Sequence, residues 1–585
     1  MAAVVPGAIS AAGANAYVQH NLVADVAGVA DVTNPNLVNP WGIATSATSP
    51  FWVNDGGTGL ATAFNSAGTA NGVQPTVPAG VAGSSPSTPT GIVYNGTGGF
   101  VLSAGHAASF IFATADGTLS GWASAVNSSL AFVKVDKSPS GAIYTGLAIS
   151  SGSTGPYLYA ANFHTGAIDV FDTNWAAASL PGGFVDPAVP AGFAPFNIQN
   201  LGGKLYVTYA KQDANKRFDV AGVGNGYVSV FDLSGNLLQH LVSSGPLNSP
   251  WGVAIAPANF GAFANALLVG NFGDGLIHAF DPATGILLGT LQNLSGAAIS
   301  IPGLWGLIVG NGGNGGDPST LYFAAATSSL THGIFGDLQP APAFTSASIG
   351  GAAGPNAGIA ENTWLSVYGT DLAPTTRSWQ ASDFVGSKLP TSLNGVGVTL
   401  NGAPAYVYYI SPKQIDVLAP AGLQPGPVQV QTTNNGFTSS SATAQAQAMA
   451  PAFFLFGGQY VAAVHSDNVS LVGSSTLFPN GLATPAQPGE TIVMYGTGFG
   501  PTNPAVPDGQ IVSGAFNVAN QVTISIDNVP AQIVSAVLSQ AGLYQFNVVV
   551  PPLALNGDLL VTAQVGGYSS PGSVYLTVLR PVLHP

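Results

Sequence analysis

Two kinds of hydrophobic patterning divide this chain. Through residues 17–338, short apolar runs such as Tyr157-Leu158-Tyr159-Ala160 and Ala266-Leu267-Leu268-Val269 are bounded by Gly and Asn, which predicts buried strands joined by tight turns. Beyond residue 356 the pattern changes to alternation, as in Val396-Gly397-Val398-Thr399-Leu400 and Val428-Gln429-Val430-Gln431, which predicts half-buried antiparallel strands. With Glu361 and Glu490 as its only glutamates against 77 Gly and 43 Pro, the chain lacks helix formers, and long helices are excluded. The fold class is all-β.

Within the first pattern one phrase recurs six times. It reads Pro40-Trp41-Gly42-Ile43-Ala44, Pro89-Thr90-Gly91-Ile92-Val93, Tyr144-Thr145-Gly146-Leu147-Ala148, Pro195-Phe196-Asn197-Ile198, Pro250-Trp251-Gly252-Val253-Ala254 and Leu304-Trp305-Gly306-Leu307-Ile308, at spacings of about 50 to 55 residues. A second phrase keeps the same register: Asn54-Asp55-Gly56, Asn162-Phe163-His164 and Asn271-Phe272-Gly273, each ahead of a Phe-Asn or Phe-Asp. One four-stranded blade per period predicts a six-bladed β-propeller over 17–338, closed by pairing Tyr17–Val23 with the strand around Gly333–Asp337. These phrases resemble the repeat of NHL-type six-bladed propellers. The stretches around Asn36-Leu37-Val38-Asn39, Gln199-Asn200 and Lys204-Leu205-Tyr206 are also similar to an uncharacterised family of exported bacterial propellers, a resemblance that implies a fold without a reaction.

After a turn-rich linker, 339–355, a duplication appears. Trp364-Leu365-Ser366-Val367-Tyr368-Gly369-Thr370 parallels Ile492-Val493-Met494-Tyr495-Gly496-Thr497, and Gln414-Ile415-Asp416-Val417 parallels Gln545-Phe546-Asn547-Val548. Two immunoglobulin-like β-sandwich modules are predicted, over 356–450 and 451–585. They resemble a C-terminal domain of exported acidobacterial proteins and the IPT/TIG modules, which implies spacing or binding.

Composition narrows the chemistry. Only 6% of residues are charged, 10 Lys and Arg against 24 Asp and Glu, for a net charge of −14. Average soluble proteins carry roughly 25% charged residues. So acidic a chain has no cationic surface for phosphates, and nucleic acid is not an expected partner. The absence of cysteine excludes disulfides, thiolate metal sites and cysteine nucleophiles. No run of about 18 apolar residues is uninterrupted, so no transmembrane helix is predicted. The small apolar residues 1–16, with two A-x-A spacings, read as a signal-peptide remnant or leader, and so as a secreted or cell-surface protein.

Up-and-down strands place both recurring phrases at one end of the propeller. Trp41, Phe196, Trp251 and Trp305 would form an aromatic floor there, ringed by polar groups including His164, and suit a glycan or a protein partner; blade packing is the competing reading. The loop Tyr209–Asp219 concentrates charge in Lys211, Asp213, Lys216 and Arg217, either as an anion clamp or as an ordinary solvated hairpin. Asp55, Asn162, Asn197 and Asn271 could offer oxygens to calcium, yet no Glu occurs in the propeller and calcium wants six to eight oxygens. Sequences fitting G-x-S-x-G, HExxH or the P-loop are missing. The expected function is therefore noncatalytic binding without a cofactor; the alternative is a propeller hydrolase or lyase with a metal at the channel mouth.

Overall fold

The computed structural model describes residues 16–103, 105–150, 155–354, 357–478 and 481–580. The leader expected over 1–16 lies outside them except for Ala16. Two compact units meet in sequence at Pro340 and Ala341. The protein is all-β: helical geometry among the described residues includes only short turns such as Ser138–Ser140, Gly261–Phe263 and Ala381–Asp383. None of these is long and apolar enough to cross a membrane.

In the first unit, each recurring phrase opens the first strand of an antiparallel sheet. These strands are Pro40–Ala44, Pro89–Tyr94, Tyr144–Ile149, Phe193–Leu201, Pro250–Ile255 and Leu304–Val309. Each of the six carries a register shift at the phrase itself, so the Pro-x-Gly motif is a β-bulge. The glycine that follows is required by what lies opposite. A Cβ on Gly42 would lie 2.6 Å from the Thr90 carbonyl oxygen, one on Gly252 2.4 Å from that of Trp305, and one on Gly306 2.6 Å from that of Trp41. Gly91 and Gly146 meet Leu147 and Asn197 in the same way. The fourth sheet substitutes Asn197, whose Nδ2 donates to the Trp251 carbonyl at 2.9 Å. Every first strand thus abuts the next, and the sixth returns to the first.

Closure follows the expected pairing. Tyr17–Ala24 runs antiparallel to His332–Pro340, with His20 opposite Asp337 and Val23 opposite Phe335. The first sheet departs from the pattern of four strands. Its three strands, Pro40–Ala44, Phe51–Asp55 and Leu60–Phe64, are followed only by isolated bridges to Ala70 and Thr76. Pro75 and Pro78, flanking Thr76, remove the donors that a continuous fourth strand needs.

The second unit contains two pairs of sheets. In the first pair, Trp364–Thr370 lies beside Gln414–Leu418 and Val396–Leu400 beside Gly426–Asn434, and the two sheets share a core that includes Val367, Val398, Val417 and Val430. The pairings of Thr491–Thr497 with Leu543–Val549 and of Val522–Ile526 with Gly557–Val565 repeat this arrangement over a second core. The duplication seen in the sequence is thus a duplication of strand pairing. The stretch 339–355, expected as linker, contains the strand Ala343–Gly351, which pairs with Trp364–Thr370.

The ring of close approaches makes a stability prediction. Gly252→Ala and Gly306→Ala should each cost the full-length protein about 1–3 kcal/mol by overpacking. Gly98→Ala, where the new methyl meets nothing within 4 Å, should stay within about 0.5 kcal/mol of wild type in denaturant melts.

Candidate functional site

In four of the six phrases the bulged residue is aromatic, and these four cluster at the axis. Trp41, Phe196, Trp251 and Trp305 are 8%, 3%, 4% and 2% exposed, and they meet one another. Trp41 stacks on Trp305 with centroids 3.5 Å apart, Trp251 meets Trp305 edge-on at 5.8 Å, and Phe196 lies 5.7 Å from Trp305. Phe272 stacks on the far side of Trp305 at 3.9 Å. The Trp251 indole donates across the ring to the Thr145 carbonyl at 3.0 Å, and Trp41 donates to Asn39 Oδ1 at 3.0 Å. These rings form a plug that closes the axis rather than an open floor.

The four side chains considered for calcium stand in four different regions of the unit, and two of their oxygens, Asp55 Oδ1 and Asn271 Oδ1, are buried without a hydrogen-bond partner. Thr62 donates to Asp55 Oδ2 at 2.5 Å within the first sheet. Asn162 Oδ1 accepts from the Ile143 N–H at 3.3 Å, while its Nδ2 donates to Asp169 at 3.0 Å. Asn197 presses Oδ1 against Gly146 of the preceding sheet, and Asn271 donates to the Pro246 carbonyl at 2.9 Å. Asp55, Asn162 and Asn271 occupy matching positions at the ends of second strands, each held within its own sheet. Among the described residues no group of three His, Asp or Glu is placed to hold a metal. As a donor set they offer one carboxylate and three amide oxygens, short of the six to eight oxygens that calcium takes.

The charged loop does meet His164, as the shared end implies. His164 Nδ1 lies 3.3 Å from the Lys216 carbonyl oxygen, and Gln212 Nε2 donates to the Phe163 carbonyl at 2.5 Å, tying the fourth sheet's loop to the third's. Asp213 pins the loop: its Oδ1 accepts the Arg217 N–H at 2.7 Å and the Phe218 N–H at 3.3 Å, which holds its carboxyl below the usual range. Lys211 and Arg217 are exposed. The Gly-rich run at 310–316 is a hairpin, fastened by Asn311 Nδ2 donating to the Ser46 and Ser49 carbonyls at 2.8 Å each.

The opening of the axis is at the other end, which the sequence did not signal. There the later residues of the first strands surround a cavity of about 380 Å³, with Trp251 of the plug at its base. Its walls are Ile, Val, Leu and Ala side chains with Asn197, Gln199 and Asn200, and Tyr94 stands at the rim, 39% exposed. No Asp, Glu, Lys, Arg or His lines it.

No family model matches the sequence. The uncharacterised protein L690 of Acanthamoeba polyphaga mimivirus is 34% identical over 316 residues, covering 52% of this chain and 81% of that protein. The uncharacterised mimivirus protein R648 is 33% identical over 327 residues, covering 54% of this chain and 78% of its own length. Similar solved structures, all β-propeller proteins, include virginiamycin B lyase from Staphylococcus aureus, with TM-score 0.34 and 12% identity over 55% of this chain and 98% of that one. The aldose sugar dehydrogenase of Streptomyces coelicolor has TM-score 0.33 and 13% identity, over 56% of this chain and 99% of that one.

Asp55 yields a test of the plug end. Burial raises its carboxyl well above the usual value, against the lowering effect of Thr62. The folded state therefore holds the proton more tightly, and this group's contribution to stability falls as pH rises from about 4 through the folded value. Asp55→Asn should raise the melting temperature at pH 7, and the gain should shrink towards pH 4. A loss of stability in the variant, specific to millimolar calcium, would instead mean that Asp55 holds a cation.

Proposed function

We propose that this chain, which belongs to the same family as the mimivirus proteins L690 and R648, is a binding protein that takes a neutral glycan into the open mouth of its propeller. The six sheets of the first unit that open on the recurring phrase are read as the blades of one propeller, and the two pairs of sheets in the second as immunoglobulin-like modules that space it from an attachment point. The setting proposed is extracytoplasmic, at a bacterial type of cell surface or in its matrix, where a largely uncharged β surface suits a scaffold.

The observation that carries the reading is the uncharged lining of the 380 Å³ cavity. A carboxylate or phosphate would find no cation there. A sugar would find the Gln199 amide for its hydroxyls, aliphatic walls for its C–H faces, and the exposed ring of Tyr94 to stack on. The alternative, a hydrolase or lyase with a metal at the channel mouth, would draw on Asp55, Asn162 and Asn271 at the plug end and not on the 380 Å³ cavity, which neither carboxylate nor imidazole lines.

Calorimetric titration of the full chain with neutral cello-, xylo- and malto-oligosaccharides tests the proposal. At least one series should bind, and Tyr94→Ala and Gln199→Ala should each weaken it about tenfold or more, while the pair Lys211→Ala and Arg217→Ala leaves it unchanged. Binding abolished by the lysine and arginine changes but indifferent to Tyr94→Ala would move the site to the plug end, and no binding in any series would overturn the glycan reading.

A further inference from the structure

A nucleophile, a base and a buried acid stand in line on the rim of the fourth sheet. His240 and Ser243 lie on its outer strand, Leu237–Ser243, which pairs with Gly226–Phe231. In a regular strand, residues three apart point to opposite faces. Here the register slips between Val228 and Ser229, so that Val242 and His240 oppose neighbouring residues and Leu241 is extra. That bulge brings His240 and Ser243 to one face. Ser243 Oγ lies 2.6 Å from His240 Nε2, and His240 Nδ1 lies 2.6 Å from Asp186 Oδ2.

The supporting contacts fix the protons. The Asp186 side chain is 1% exposed, and its Oδ2 also accepts from Ser229 Oγ at 2.6 Å while Oδ1 accepts the Ala188 N–H at 2.9 Å. Burial would push this carboxyl up, but the bonds from Ser229, His240 and Ala188 outweigh it and keep it below the usual value. An anionic Asp186 requires the proton of a neutral His240 to sit on Nδ1. Nε2 is then an acceptor, and the Ser243 hydroxyl must donate to it, which is the resting arrangement of an activated serine. Ser243 is exposed, and the next two residues, Ser244 and Gly245, have φ of 50° and 58°, so the chain turns sharply away behind it.

Pairing of a histidine with a carboxylate is not by itself the signal. His465 also faces a carboxylate, Glu490, at 2.5 Å and a hydroxyl, that of Thr484, at 2.9 Å. Its Nε2, however, lies 3.2 Å from the Thr484 carbonyl oxygen, an acceptor that calls for an N–H there. His240 Nε2 has Ser243 Oγ as its partner and can take a proton.

The geometry points to Ser243, His240 and Asp186 as an acyl-transfer site for small carboxylic esters, separate from the neutral mouth. Ser243 Oγ attacks the acyl carbon as its proton passes to His240 Nε2, and Asp186 stabilises the imidazolium. The bond to the alcohol oxygen breaks, and that oxygen leaves with the proton from Nε2. Water then adds to the acyl-serine, giving its proton to Nε2, and Ser243 is released with the carboxylic acid. Because Ser243 stands on an exposed rim, the acyl group is the part of the substrate that must touch protein.

Two readouts on the full chain test this. A fluorophosphonate probe should phosphonylate Ser243 with loss of fluoride, seen as a mass increase on its peptide, and p-nitrophenyl acetate should be hydrolysed. Ser243→Ala and His240→Ala should each abolish labelling and lower the hydrolysis rate about a hundredfold or more. Asp186→Asn should slow labelling, and Thr484→Ala should change neither readout. Since Ser243 is exposed, its alanine variant should melt as wild type does. Failure to label Ser243, or a wild-type rate of ester hydrolysis in Ser243→Ala, would overturn the proposal.

Discussion

The propeller unit depends on how closely one first strand can approach the next. Five glycines and one asparagine stand where a neighbouring backbone leaves no room for an ordinary side chain, and Asn197 converts its contact into a hydrogen bond across the seam. Once those seams are tight, the bulge beside each has little choice but to turn its other large residue inwards. The tryptophan plug is thus a consequence of the ring, and the stacking of Trp41, Trp305 and Phe272 fills the axis that the bulges leave. Aromatic packing of this kind adds to the area buried and fixes ring orientation.

Much of this is legible in the sequence because a repeat multiplies a weak signal. One Pro-Trp-Gly phrase says little; six in register give the period, the first strand of each sheet and the pairing of Tyr17–Ala24 with His332–Pro340. What the repeat does not encode is the direction in which its aromatic residues point. A bulge is an extra residue in one strand relative to its partner, and that count is a property of the pair. Trp41 and Trp251 therefore read equally well as an exposed floor or as a plug, and the uncharged mouth at the other end carries no motif, being built from Ile, Val and Leu that any buried strand would use. The same holds on the rim, where Leu241 becomes the extra residue only through its pairing, and Asp186 arrives from a loop more than fifty positions away in sequence.

Scarcity of charge shapes both proposed activities. With 34 charged side chains in 585 residues, most carboxylates are tied to a hydroxyl, an amide or backbone N–H groups. Asp213 closes a loop in this way, while Asp55 is so deeply buried that its carboxyl holds its proton more tightly than an exposed one. Such groups fix local shape and are poorly placed to donate to or bind a substrate. In the proposed binding mode the cavity would recognise by shape and by amide dipoles, which discriminates against ions without needing a repulsive charge.

The mouth and the rim relay use opposite ends of one sheet. The first strand of the fourth sheet runs from Phe193, beside the plug, to Leu201, with Asn197 to Asn200 facing the cavity. Three antiparallel reversals later, the outer strand ends at Ser243, in the row that contains Pro195, Tyr209 and Tyr227 and so belongs to the plug end. A ligand in the mouth consequently does not touch Ser243, and the two sites share a scaffold without sharing a substrate pocket. Rigidity is what they have in common: tight seams hold the amides of the mouth, and the same sheet holds Ser229 and His240 on either side of one buried carboxylate oxygen. A relay built on paired strands keeps its alignment without a ligand to organise it, which is the condition for an exposed serine to be reactive at rest.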